Sequence, residues 1–566
     1  MKRMDNRQAP IDVFVMGAGL AGITAAIWAA REGASVCLAS SGPVCSGSSF
    51  YPGTWGLGLV GPEGKADEED LRNTILTVGE GMADPKLAQT LVSGISQGIQ
   101  DLEAMGVRLK EAVHKGEKEF IPCFDHKGRD WHGIIKESAR EAFLRELEAL
   151  SVIQLSQTTV TDLWKEGEGF YVGAVRKGEK GWEFCSFHPK AVVIASGGLG
   201  GLFSRRLNTD DATGLGQYLA LEAGASLVNL EFMQMMPGFI KPAPKTIYNE
   251  KVFACSNFSD RRTGQSIFGG WSKEEEEERM KIRSTHGPFT CRLGSGPVDI
   301  RLFEQCLKDE GGVCLTYKDE LRKSQPEFVQ TYFQWLKEEK GLTIDHPVDI
   351  GIFAHASNGG IRIDSRGGCG VSGLFACGEC TGGMHGADRI GGLSTANGLV
   401  FGKLAGIAAA GYSHCRKKKL MERAGENRAD SWGRIRIPGA SRLLEQLRQV
   451  NYQAGMVVRR EKELCAALKQ VEELKKTAVE SKEWFPGRDV LRAEGEGAAA
   501  EYCDSRILEG ALTLSEGMLK AMLMRRESRG SHYREDFPKK EESFGCPILI
   551  TEHQGTITVN FNRERW

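Results

Sequence analysis

Ile11-Asp12-Val13-Phe14-Val15-Met16 running into Gly17-Ala18-Gly19-Leu20-Ala21-Gly22 is the stretch that decides the fold. The first six residues form a short, mostly apolar run of strand character. The glycines then permit a tight turn, close approach of the backbone to a pyrophosphate, and close packing of the next helix. That helix, from Ile23 to Arg31, points its positive N-terminal dipole at the phosphates. Glycine-rich turns are common, so the hexapeptide alone says little. Strand, turn, Ala-rich helix, Glu32-Gly33-Ala34 and a second strand, Ser35 to Ala39, follow one another in the order that such a unit requires. One part is absent: the second strand of such units ordinarily ends in an acid that hydrogen-bonds a ribose hydroxyl. Here it ends Leu38-Ala39-Ser40-Ser41, so either Ser40 takes that role weakly or the ribose is held elsewhere.

Far downstream stand Gly373-Leu374-Phe375-Ala376-Cys377-Gly378-Glu379 and His385-Gly386-Ala387-Asp388-Arg389-Ile390-Gly391-Gly392. Between the two ends, Ala191-Val192-Val193-Ile194-Ala195-Ser196-Gly197-Gly198 reads as a buried parallel-type strand ending in glycines, an end that leaves room for a cofactor to touch backbone. The CxxC at Cys377 to Cys380 falls inside the downstream motif and reads as two small residues at a strand-to-loop corner. With no second CxxC and no CxxCH, an iron-sulfur cluster or haem within the chain is not expected, and electrons would enter from outside.

The chain has 566 residues, with Lys+Arg 73 against Asp+Glu 75 and a net charge of -2. That balance argues against a nucleic-acid-binding surface. The 15 cysteines are scattered without framework spacing, which suits a reducing compartment. Met1 to Arg7 is polar and leads straight into the first strand, so no signal peptide is expected. No uninterrupted apolar stretch is read as long enough to span a bilayer. The expectation is a cytoplasmic protein without direct membrane insertion.

The fold class expected is α/β: a Rossmann-like nucleotide-binding domain over 1–240 and 351–410, split by an inserted α+β capping domain over 241–350, then a C-terminal helical domain over 435–566. The nucleotide domain includes a helix near Ile134 to Leu150 and strands around Val152 to Val160 and Phe170 to Val175. The inserted region carries Pro242, Pro244, an acidic run Glu274 to Glu278 that reads as a solvated helix face, and amphipathic helices near Pro297 to Lys308 and Pro326 to Lys340. Apolar stripes at Leu443, Leu444, Leu447, Val450 and at Leu464, Leu468, Val471 have helical spacing and read as core. Ile548 to Ile550 and Thr556 to Val559 alternate like a hairpin.

These segments, in this order, resemble the flavoprotein family of succinate dehydrogenase, fumarate reductase and L-aspartate oxidase. Further segments carry the likeness: Ser46-Gly47-Ser48-Ser49, Glu231-Phe232-Met233-Gln234-Met235-Met236-Pro237, His355-Ala356-Ser357-Asn358-Gly359-Gly360-Ile361 and Arg526-Glu527-Ser528-Arg529-Gly530-Ser531-His532-Tyr533-Arg534. The resemblance spans nearly the whole chain and implies FAD as cofactor. It implies that Gly17, Gly19, Leu20, Ala21 and Gly22 hold the pyrophosphate. Ser40, Ser41, Ser48, Ser49, Val160, Ser196, Gly197, Gly198, Asp211, Gly378, Glu379 and Leu393 would line the cofactor. Ser394 would open a helix, Ser394 to Gly406, whose dipole faces the flavin pyrimidine ring and stabilises its negative charge when reduced. His355 and Arg389 match the family's substrate-binding histidine and arginine, and Met236 and His385 fall in the substrate pocket. Arg525, Arg526 and Arg529 are expected to tie the helical domain to the rest.

Three departures bear on chemistry. The family's EF-x-Q-x-H-P pattern has Met236 in place of the carboxylate-binding histidine, and a thioether donates no hydrogen bond. The family's Arg-Gly-x-Gly segment, whose arginine protonates the substrate carbon, has no clean counterpart, so Arg261 or Arg262 is nominated as proton donor on distance alone. Ser48-Ser49-Phe50-Tyr51 lacks the histidine that carries covalent flavin, so FAD is expected to be non-covalent. The mechanism implied is hydride transfer between flavin N5 and a carbon of a C=C bond conjugated to a carbonyl or carboxylate, with a substrate other than fumarate. An aspartate-oxidase-like amine oxidation, or an electron-transfer subunit of a larger complex, stays open beside it. A redox partner protein is among the expected sources or acceptors of electrons.

Overall fold

A computed structural model describes residues 10–54, 56–110, 124–178, 181–323, 325, 327–415, 434–485 and 496–563. The N-terminal polar stretch Met1 to Arg7 lies outside the described residues.

At the centre, Val13–Met16 pairs in parallel with Val36–Ala39 on one side and with Ala191–Ile194 on the other. Leu374–Ala376 and Ile153–Leu155 complete the two edges of this five-stranded sheet. Every residue of Val13–Met16, Val36–Ala39 and Ala191–Ile194 is buried. A parallel sheet covered on both faces demands that continuity, which is why these strands read as unbroken apolar runs. Helix Leu20–Arg31 packs on the sheet together with Leu393–His414.

The latter helix runs eight residues past the expected Gly406 end. By length and composition alone it would also pass for a membrane span, contrary to the sequence reading, yet most of it is buried inside the protein. Its apolar character comes from being a central core helix.

Four antiparallel strands form the inserted sheet, in the order Met233–Lys241, Val348–Ser357, Val313–Tyr317, Ser256–Asp260. Helices Lys273–Arg283, Gly296–Lys308 and Glu327–Lys340 accompany it. The acidic run falls on the exposed part of the first of these, whose start is fixed by a capping box of Ser272 and Glu275.

Three long helices, Ala440–Gly455, Glu461–Glu480 and Glu496–Met524, build the C-terminal part. The expected hairpin is present as Ile548–His553 and Thr556–Phe561, but it does not stand alone. It extends a five-stranded sheet through Leu227–Val228 and Gly360–Arg362, sewing the C-terminus back onto the nucleotide-binding part. Buried ions finish the join. Arg525 Nε donates to Glu231 Oε1 at 2.9 Å, Arg525 Nη1 and Arg529 Nε both donate to Glu527 Oε1, and all four side chains are essentially inaccessible. Such buried ions are tolerable because each is paired and hydrogen-bonded.

Candidate active site

Two connected cavities run across the C-terminal ends of the parallel strands. The smaller, about 110 Å³, is lined by Gly17, Gly19, Leu20, Ser40, Ser41, Ser196, Gly197 and Asp211. The larger, about 320 Å³, is lined by Gly378, Ser394, His355, His385, Arg389 and Met236 among others. Leu20, Ala21, Ser48, Ser49 and Glu379 line both, so the two form one trough.

The residues of the trough fit a dinucleotide. Helix Leu20–Arg31 begins at Gly19 with no acidic residue in its first turn, and Ser49 Oγ lies near its first amide, at 3.4 Å. Leu393–His414 likewise starts without a side-chain cap or a first-turn acid, after Gly392 in the left-handed region. Two positive helix ends therefore face the trough with donors to spare. The Ser196 hydroxyl is buried and has no partner among the described residues. The tight turn needs its glycines: Gly17 has φ of +108°, and a methyl at Gly22 would overlap the Gly17 carbonyl oxygen.

Some residues expected to line the cofactor act one step away from the trough. Gly22 and Gly198 are not lining residues; Gly22 seats the helix on the turn, and a methyl at Gly198 would overlap the Glu379 carboxylate. Glu379 Oε1 in turn accepts from the Ser357 amide at 3.1 Å, and burial holds its carboxyl above the usual range. Val160 is buried in the core, and Thr158 and Thr159 of the same strand line the trough in its stead. Leu393 is fully buried among core residues, while Ser394 and Thr395 face the cavity.

The larger cavity is built by two neighbouring strands of the inserted sheet and the loop before helix Leu393–His414. Gln234 and Met236 are two residues apart on one strand and so share a face. Gln234 Oε1 accepts from Arg389 Nε at 2.9 Å, and Gln234 Nε2 donates to the Arg389 carbonyl at 3.5 Å. On the neighbouring strand the register slips: Gln234 faces Ala356 and Met235 faces Ala354, which leaves His355 as the extra residue of a bulge. A bulge re-aims the side chain it carries, and His355 lines the cavity.

Burial first, and the Arg389 guanidinium second, push His355 down to about 3. The same causes hold His385 well below the usual histidine range. Both imidazoles are neutral at working pH, and neither Nδ1 has a hydrogen-bond partner among the described residues. Arg389 thus stands as a fixed cation flanked by two neutral rings able to donate or accept.

The proton-donor nomination fails on geometry. Arg261 is held by Asp349 at 3.1 Å and Asp309 at 3.6 Å, and Arg262 is three-quarters exposed beside Asp309. Both follow the edge strand Ser256–Asp260, which another strand separates from the cavity-lining pair, and neither lines the cavity. The titratable group the inserted region places there is Glu250, which sequence reasoning missed. It opens the short turn Glu250–Cys255, lines the cavity and is 7% exposed. Burial raises its carboxyl above the ordinary glutamate range. The only signal for it was an acid set between the apolar Tyr248 and Val252.

Residues 12–247 and 317–395 match the family model of the FAD binding domain, and residues 444–563 match that of the fumarate reductase flavoprotein C-terminus. The chain belongs to this FAD-binding flavoprotein family. One subunit of the fumarate reductase (CoM/CoB) of Methanothermobacter marburgensis is 27% identical over 97% of this chain and 98% of its own. L-aspartate oxidase of Streptomyces coelicolor is 26% identical over 94% of this chain and 90% of its own. Among solved structures, Sdh1 of Mycobacterium smegmatis in complex with UQ1 superposes with a TM-score of 0.77 at 22% identity, covering 98% of this chain and 94% of that one, a likeness of fold. FAD is the cofactor of this family, and the chain is an FAD-dependent oxidoreductase.

Proposed function

We propose that the protein reduces, or in reverse forms, a C=C bond conjugated to a carboxylate or carbonyl. The observation that carries this reading is Arg389, fixed by Gln234 beside the bulged His355, in a cavity continuous with the cofactor trough. FAD bound there supplies two-electron hydride chemistry.

The remaining work falls to side chains. Arg389 binds the conjugated oxygen and, with a neutral His355 donating a hydrogen bond, stabilises the negative charge that develops on it. Glu250, whose carboxyl burial raises above the ordinary glutamate range, in its protonated form holds the proton that the second carbon takes up, in the role for which Arg261 and Arg262 lie too far away. Ser394 and the uncapped helix start beside it would hold the cofactor's pyrimidine ring under a positive dipole, which stabilises negative charge there. We take residues 241–350 as the cap that excludes water, with Tyr51 Oη donating to the Lys245 carbonyl and the Ile247 amide to the Gly53 carbonyl along its seam. No histidine lies in Ser48–Tyr51, so FAD is held without a covalent bond.

The electron source is placed outside the chain, in a redox partner; the Methanothermobacter relative is itself one subunit of a larger enzyme by name. The test is anaerobic reoxidation of dithionite-reduced holoprotein by unsaturated acids, lost in Arg389→Ala. Reoxidation by oxygen with amine substrates would instead favour the aspartate-oxidase-like reading. Silence with every organic acceptor would favour an electron-transfer role inside a complex.

A further inference from the structure

The larger cavity is chemically lopsided. Arg389, His355 and His385 gather at one end. Two residues along the strand from Gln234, roughly 7 Å at strand spacing, Met236 packs in a small apolar cluster with Leu207, Ile247 and Phe353. Three of these four, Leu207, Met236 and Ile247, line the cavity. Gly287 joins the same wall: a methyl built there would lie 3.2 Å from Met236 Cε and 3.9 Å from Glu250 Oε2. The thioether and the carboxyl therefore share one end, and among the described residues that line the cavity Arg389 is the only lysine or arginine.

We infer that the substrate is a monoanion, a 2-enoic acid with one carboxylate at Arg389 and an uncharged, apolar body seated against Met236, Leu207 and Ile247. This rests on the C=C reading above and adds the substrate class to it. A second carboxylate at the Met236 end would meet no donor from the thioether. There it would face Glu250, which when ionised repels an anion and when protonated has one hydrogen to give. Trp131, which lies against Gly58 and Gly133 across a strand pair, adds an aromatic wall to the same cavity. A planar apolar substituent matches that wall better than a charged one.

Two readouts on the holoprotein separate this inference from the reading beneath it. The first is binding to the oxidised enzyme, followed by perturbation of the flavin spectrum with the saturated acids 3-phenylpropanoate, butanoate and succinate. The monocarboxylates should bind at least tenfold tighter than succinate. The second is reoxidation of the reduced enzyme by cinnamate, crotonate and fumarate. Cinnamate or crotonate should lead fumarate by tenfold or more, and Met236→His should shift that ratio toward fumarate by a similar factor. Succinate binding as well as or better than the monocarboxylates, or no binding by any of the three, overturns the inference. So does Met236→His leaving the monocarboxylate-to-fumarate preference unchanged. Failure of every acceptor to reoxidise the flavin, with the binding preference intact, sinks the C=C reading and leaves the monoanion site standing.

Discussion

Gln234 and Arg389 hold one another twice, the side-chain oxygen accepting from Nε at 2.9 Å and the side-chain nitrogen donating to the arginine carbonyl at 3.5 Å. A glutamine conveyed by the inserted sheet thereby fixes the direction of a cation carried by the loop before helix Leu393–His414. Gln234→Leu removes both contacts while keeping the volume. Arg389 loses its orientation, and substrate-dependent reoxidation should fall about 10- to 100-fold, on the order of 1–3 kcal/mol of transition-state stabilisation. FAD content, read from the ratio of flavin to protein absorbance, should not change, because Gln234 lies outside the cofactor trough.

Glu250 should give the pH profile its alkaline limb. Burial raises its carboxyl, so the protonated, donating form persists above the ordinary glutamate range and is lost as pH rises through the raised value. In Glu250→Gln the rate of substrate reoxidation should drop by about 10²-fold or more, in the range typical of a general acid, and the limb assigned to this group should vanish. Stopped-flow reoxidation across pH, with dithionite reduction of the flavin as the unaffected control, measures both.

Asp388 links the Arg389 segment to the wall of the cavity. Its Oδ2 accepts from Thr290 Oγ1 at 2.7 Å and lies 3.5 Å from Arg292 Nε, just past Gly287 and Pro288, which line the site. Burial pushes its carboxyl up to about 7, while the Thr290 hydrogen bond and Arg292 oppose the rise. The folded state then binds this proton more tightly than the unfolded chain, so its contribution to stability falls as pH rises from about 4 to 7. Asp388→Asn keeps the Thr290 hydrogen bond and removes the titration. The fall in melting temperature between pH 4.5 and 7.5 should be shallower in the variant than in the parent, as scanning calorimetry would show.

Gly22→Ala tests the turn. The added methyl would overlap the Gly17 carbonyl oxygen, a backbone atom that cannot move without opening the turn. The variant should purify with little or no FAD, and added FAD should not restore the flavin spectrum. Gly33→Ala, where a methyl meets nothing within 4 Å but the backbone has φ of +85°, should lose some stability and keep its cofactor.

How much of this is readable in the sequence differs by element. The central strands are legible because burial on both faces demands unbroken apolar runs, and the turn because only glycine fits it. Arg389 and His355 are legible through their motifs, yet the reason His355 faces the cavity is a one-residue slip between strands far apart in sequence, which no local pattern records. Arg261 and Arg262 mislead because distance along the chain says nothing about which strand of a sheet is the edge. Glu250 is hard to see because, apart from its apolar neighbours Tyr248 and Val252, an acid in a short irregular turn looks like any surface acid until the fold buries it. The helix expected to end at Gly406 runs on to His414, and Gly402 and Gly406 lie inside it, where they let the backbone of helix Leu20–Arg31 come close.

The most direct measurement is anaerobic, stopped-flow reoxidation of the dithionite-reduced holoprotein by cinnamate and crotonate, with the saturated product identified and Arg389→Ala run beside the parent. Full reoxidation with one equivalent of saturated acid formed per flavin, slowed about 10²- to 10³-fold in Arg389→Ala as befits loss of the group that stabilises the developing charge, is the predicted result. A flavin that stays reduced with every unsaturated acid and carbonyl tested, or one that Arg389→Ala reoxidises as fast as the parent, would contradict a C=C oxidoreductase built around Arg389.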